Sequence, residues 1–132
     1  MNKQTIMYIL SISVALFVFI FLLTVNLIGF SVKERCKMAQ ETYSGDCVES
    51  LINYLDDENN SFSSRHSAVW ALGQLGDRRA LPVLKKYYSG DDSGNVKMDE
   101  DLIQPELKRA IGYMEGNPNI TTFFWRFGKG IQ

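Results

Sequence analysis

Hydrophobic positions divide this chain into two unlike parts. From Gln4 to Val32 no residue carries a charge, and apolar side chains fill so many positions that no face is distinguished from another. That run of 29 residues exceeds the roughly 20 needed to cross a bilayer as a helix. It predicts a transmembrane helix over residues 1–32, with the lipid bilayer as partner through residues 4–32. A cleaved secretory signal is the rival reading, but its apolar core is usually about 7 to 15 residues and ends at small residues, whereas "NLIGFSVKERC" offers no such site.

Beyond Val32, apolar residues recur at helical spacing and polar stretches interrupt them. "DCVESLINYL" sets Val48, Leu51, Ile52 and Leu55 on one face, with Asp46 at the N-cap and Glu49 at the spacing of a capping box. "DDENNSFSS" breaks that pattern, and a second helix from about Ser63 or Ser64 brings Ala68, Leu72 and Leu75 beside Val69. Gly76 closes it, because glycine takes the left-handed C-cap without a side-chain penalty. Asp77 opens a turn, and Pro82, tolerated in a first helical turn, sets the start of the next helix at residues 79–81. There Leu81, Leu84 and Tyr88 point inward while Tyr87 leans outward. "SGDDSGNVKMDED" reads as a loop, followed by helices in "LIQPELKRAIGYM" and "ITTFFWRF". No alternating run supports a strand, so the expected fold class is all-α.

The helices repeat. A slide of 39 residues sets Ala71, Leu72, Gly73, Leu75, Leu81 and Leu84 on Ala110, Ile111, Gly112, Met114, Ile120 and Phe123, the signature of stacked helix pairs. The stretch "SSRHSAVWALGQLGDRRALPVLKKYYSGD" resembles a HEAT repeat of the short type found in phycobilisome-lyase-like proteins. Arg65 stands early in its first helix, Ala68, Ala71 and Leu72 line the inner face, Leu72 to Asp77 make the turn, and Arg79 to Leu84 lead into the second helix. "MEGNPNI" departs from this turn in the second copy. The resemblance implies a short α-solenoid of about two helix pairs over residues 33–132, with residues 33–45 as a juxtamembrane helix or linker. Such pairs bury their apolar faces only by stacking on one another.

Charge narrows the partners. With Lys3 set aside, 13 of the 14 Lys and Arg and all 15 Asp and Glu fall after Val32, which leaves no basic stripe for nucleic acid. The acidic clusters at 56–58, 91–92 and 99–101 read as solvated loop charges. Lys33, Arg35 and Lys37 against Lys3 alone make a single-pass membrane protein whose soluble domain leans to the cytoplasmic side. Cys36 and Cys47 either form a disulfide closing a 12-residue segment in an oxidising compartment or remain two reduced thiols. Were the membrane helix to run on to Ser44, Cys36 would stand roughly 13 Å above the turn, so a bond implies a helix ending near Met38.

The residues give no catalytic constellation. One His and two Cys without clustered spacing argue against a metal site, and no cofactor motif is present. Ser63, Ser64 and Ser67 around His66 are better read as helix-start residues than as nucleophiles, and "DDSGN" lacks the order of a calcium loop. Four aromatics in the five residues 123–127 are too many for one helix stripe. Trp70, Tyr87, Trp125 and Phe127, rimmed by Arg78 and Arg79, are therefore the expected partner-binding residues. The function expected is a membrane-anchored, non-catalytic module or accessory subunit that binds another protein, not an enzyme. A phycobilin-lyase-like or chaperone function, implied by the resemblance, and a structural subunit acting through its transmembrane helix are the alternatives.

Overall fold

The computed structural model describes residues 2–90 and 104–127, and among them every regular element is helical. Six α-helices follow in order: α1 Lys3–Thr42, α2 Cys47–Asp56, α3 Phe62–Leu75, α4 Leu81–Tyr87, α5 Gln104–Glu115 and α6 Ile120–Phe127, with a 3₁₀ turn at Arg78–Ala80 leading into α4. The sequence loop "SGDDSGNVKMDED" lies almost wholly outside the described residues.

α1 runs unbroken through the position where membrane segment and soluble domain were expected to part. Its 40 residues extend about 60 Å at 1.5 Å per residue. Apart from Phe21, the large apolar side chains from Ile6 to Leu23 are exposed, whereas Val25, Val32, Cys36 and Ala39 are buried, with Phe21 and Ile28 packed beside them. Those positions form one stripe at steps of three or four residues, the spacing that keeps a helix face on a neighbour. The second half of α1 is thus a working helix of the domain, packed on α2, α3 and α6.

Local chemistry sets the remaining boundaries. Asp46 accepts from the Glu49 backbone N–H at 2.9 Å and the Glu49 carboxylate accepts from Asp46 N–H at 3.4 Å, a reciprocal cap that starts α2. Ser61, not Ser63 or Ser64, caps α3, and its hydroxyl accepts from Ser64 N–H. Gly76 ends α3 at φ 60°, ψ 25°. Asp77 accepts from Arg79 N–H and opens the 3₁₀ turn, after which Pro82 sits in the first turn of α4.

Leu51, Leu55, Ala68, Val69, Ala71, Leu72, Ala80, Leu84, Leu107, Ala110 and Met114 form the core between these helices. α2 packs on α3, α3 on α5 and α5 on α4, while α6 returns to α1. Gln104, buried at the start of α5, donates to the Tyr87 carbonyl and accepts from Ser89 N–H, tying the end of α4 to α5 across the undescribed segment.

Cys36 and Cys47 are bonded, with Cα atoms 4.9 Å apart. The expectation that a bond requires α1 to end near Met38 is corrected. α1 continues to Thr42, but Tyr43 and Asp46 are extended and Gly45 has φ 132°. Four residues can reach about 13 Å when extended, more than the roughly 9 Å of helix between Cys36 and Thr42. The connection therefore doubles back before α2 begins.

Candidate functional site

Two open clefts flank α3. One, of about 280 Å³, lies between α1 and α3 and is lined by Ser31, Arg35, His66, Ser67 and Trp70. Its chemistry is quiet: Ser67 donates to the Ser63 carbonyl at 2.9 Å rather than to His66, and the His66 ring stacks on Phe62. No base stands ready to take a proton from the hydroxyl.

The other cleft, of about 270 Å³, lies where α3, α5 and α6 meet, lined by Gly73, Tyr113, Asn117, Asn119, Thr122, Phe123 and Arg126. Gln74 organises it. Its side-chain oxygen accepts from Asn119 and from Thr122, each at 3.4 Å, and its backbone carbonyl accepts from Arg126 Nη2 at 2.5 Å. Burial of the guanidinium against the end of α3 pulls the Arg126 pKa down, opposed by the Asp77 charge. These partners stand 45 to 52 residues apart, which is why sequence reasoning missed them; a lone Gln among apolar helix positions was the one local signal.

The expected partner residues do not gather on one surface. Trp70 is half-buried in the first cleft. Tyr87 donates to Asp56 at 2.7 Å and carries Arg65 over its ring. Arg78 donates through Nε to the Met114 carbonyl at 3.2 Å, linking the α3–α4 pair to α5. Arg79 is drawn into a carboxylate cluster with Asp46 at 2.6 Å, Asp77 at 2.9 Å and Glu49 at 3.6 Å. Trp125 is not at the surface: it is 5% exposed, its ring lies against Gly29 of α1, and its indole N–H has no hydrogen-bond partner among the described residues. Phe127 ends α6, and its side chain lies outside the described residues. The exposed aromatics of that helix are Phe123 and Phe124, the latter edge-on to Phe21.

The acidic run at 56–58 is more than solvated charge. Asp56 accepts from Lys86 at 2.6 Å as well as from Tyr87, and Lys86 first, then Tyr87, hold its carboxyl below the usual carboxylate range. Asp57 accepts from the Tyr43 hydroxyl at 2.5 Å, and this bond raises the phenol pKa. The clusters at 91–92 and 99–101 lie outside the described residues.

The family model for HEAT repeats matches residues 33–101, just over half of the chain. The chain belongs to the HEAT-repeat family. Three curated relatives are named deoxyhypusine hydroxylase. The chain is 35% identical to the protein from Schizosaccharomyces pombe over 74 residues, 56% of this chain and 23% of that protein. It is 36% identical to the Candida albicans protein over 52 residues, 39% of this chain and 16% of that protein. To the Debaryomyces hansenii protein it is 32% identical over 62 residues, 47% of this chain and 20% of that protein. The matched stretch thus spans less than a quarter of each relative's length. No solved structure matches the chain.

These relatives correct the functional expectations. They are named as an enzyme, which conflicts with a non-catalytic interaction module or accessory subunit and with the expectation that the chain is not an enzyme. They are not phycobilisome lyases, so the lyase-like and chaperone alternative falls, and a purely structural subunit does not match them either. The single-pass membrane localisation, with its cytoplasmic lean, rested on α1 alone and is set aside on the same comparison. Length and apolar composition are weak support for a span, since a signal sequence near the N-terminus has both.

Proposed function

We propose that this HEAT-repeat protein serves an enzymatic hydroxylation of the deoxyhypusine type, its repeat forming the part of the enzyme that holds the protein substrate. The observation that carries this reading is the 32–36% identity to three deoxyhypusine hydroxylases in a chain of the HEAT family. Stacked helix pairs favour the holding role, because they offer an extended surface to a protein ligand.

Hydroxylation by oxygen draws on a metal or organic cofactor, since protein side chains alone do not carry that chemistry. The described residues do not fit a metal centre: no group of three or more His, Cys, Asp or Glu is placed to share an ion, and both cysteines are spent on each other. No chemical step is assigned to such a centre.

The test uses the full chain in detergent micelles and two forms of one substrate protein, one bearing deoxyhypusine and one with the unmodified lysine. Fluorescence anisotropy is expected to give at least about tenfold tighter binding of the deoxyhypusine form, a difference of about 1.4 kcal/mol. Mass spectrometry then reads whether the bound form gains one oxygen atom. Equal affinity for the two forms, with no oxygen gained, sinks the reading.

A separate proposal concerns what covers residues 4–32. Lipid acyl chains fit their chemistry, because the large apolar side chains from Ile6 to Leu23, Phe21 apart, are exposed. Residues 25–32 are partly covered by the domain itself. Co-sedimentation with phosphatidylcholine vesicles that survives alkaline washing supports lipid contact. Release into the supernatant rejects it.

A further inference from the structure

We infer that the cleft between α3, α5 and α6 is an oxyanion-binding site, taking a carboxylate or phosphate group on Arg126. The inference is independent of the hydroxylase reading. It begins with an imbalance of charge. Arg79, Lys85, Lys86 and Arg109 each pair with a carboxylate. Among the described residues Arg126, like Arg65 and Arg78, pairs with none and donates to a backbone carbonyl, that of Gln74, but of these three it is the one that lines this cleft. A guanidinium has five N–H donors in a fixed fork, so most of this one is unfilled. Asp77, whose charge reaches Arg126, is already engaged by Arg79 at 2.9 Å.

The surroundings of the fork select an anion. No Asp or Glu lines the cleft, and Asn117 and Tyr113 present a side-chain amide and a hydroxyl that have no hydrogen bond among the described residues. Asn119 is committed elsewhere: its oxygen accepts from Thr121 and Thr122 and its amide donates to Gln74. One unpaired cation beside two open neutral donors is the donor set that an oxyanion satisfies, and charge-assisted bonds of this kind are roughly twice as strong as neutral ones.

The fork is also held in place. Its Nη2 bonds to Gln74, and Gly76 leaves room beneath it, since a Cβ there would stand 2.6 Å from the same nitrogen. An anion would meet a guanidinium already positioned by the end of α3, which lowers the entropy lost on binding. The cleft, of about 270 Å³, admits a small phosphate or carboxylate and one end of a larger molecule that carries it.

The test is an NMR titration of the full chain in detergent micelles with sodium phosphate and, separately, sodium acetate. A saturable shift of the Arg126 Nε–Hε and Asn117 amide signals is expected with at least one of them, and the effective anion tells phosphate from carboxylate chemistry. Arg126→Gln is expected to abolish the Asn117 shift, and Arg126→Lys to weaken binding about tenfold, the loss expected of a charge-assisted hydrogen bond. Tyr113→Phe and Asn117→Ala, which leave the Arg126 anchor untouched, are expected to weaken binding without moving the other backbone signals. They decide the matter should Arg126→Gln disturb α6. No saturable shift with either anion, or unchanged affinity in both of these variants, overturns the site.

Discussion

Gly73 on α3 lies directly against Ala110 on α5: a Cβ on Gly73 would come 3.0 Å from the Ala110 Cβ and 3.1 Å from its Cα. The second distance decides the consequence, because a backbone atom moves only if its whole helix moves. Gly73→Ala gains about 0.5–1 kcal/mol of helix preference. It also forces apart two helices whose contact holds Ala71, Leu72, Ala110 and Ile111 in the core, and overpacking of this kind costs about 1–3 kcal/mol. The net expectation is a loss of about 1 kcal/mol, and a larger one for Gly73→Val, read from urea unfolding. A stabilised Gly73→Val would refute the close approach.

Gly76 tests the turn separately. Its φ of 60° costs a side-chain-bearing residue roughly 1–2 kcal/mol. Gly76→Ala should lower stability by at least that amount, because its Cβ would also stand 2.6 Å from Arg126 Nη2; Gly76→Asn meets the same side chain but should cost less, since Asn tolerates the left-handed region. Thermal unfolding of the three proteins in one detergent gives the order.

Cys36 and Cys47 close a 12-residue segment that includes the doubled-back connection. A disulfide across a loop of this size contributes about 2–4 kcal/mol, chiefly by restricting the unfolded chain. Reduction, or the Cys36→Ala, Cys47→Ala pair, is expected to lower the unfolding midpoint while leaving the capping box at Asp46 in place. Midpoints that agree with and without reductant would count against a bonded pair.

Acid should loosen the first helix pairs together. The Glu49 backbone N–H, then Arg79, holds the Asp46 carboxyl below its usual range, Lys86 does so for Asp56, and Arg79 for Asp77. Carboxyls depressed in the folded state stabilise it above their unfolded pKa of about 3.9 and lose that contribution as pH falls through the folded values. Stability is therefore expected to hold from pH 7 to 5 and to decline below about pH 4. Asp46→Asn keeps a good cap but removes one titrating group, so its stability curve should fall less steeply. An identical acid slope would show that Asp46 carries none of the effect.

Much of the helical plan was legible because its signals are local. Asp46 with Glu49, Gly76 and Pro82 each act within a turn of their own position, and the structure places all four where capping, chirality and ring geometry require. The candidate cleft was not legible, because Gln74, Asn119, Thr122 and Arg126 meet only after α6 folds back, and no spacing along the chain encodes that meeting. Trp125 fails for the same reason: a tryptophan in "FFWRF" reads as an exposed anchor until α1 is found to cover it.

By itself the sequence determined the cap that starts α2, the glycine that ends α3 and the proline entry to α4, that the inner faces repeat, and that residues 4–32 carry no charge. Caps, turns and periodicity are short-range physics, readable one turn at a time. Only the tertiary structure decided which side of α1 is used. In a segment apolar on every face, periodicity carries no information, and the choice of Val25, Val32, Cys36 and Ala39 as the buried stripe is made by the helices that come to lie against them.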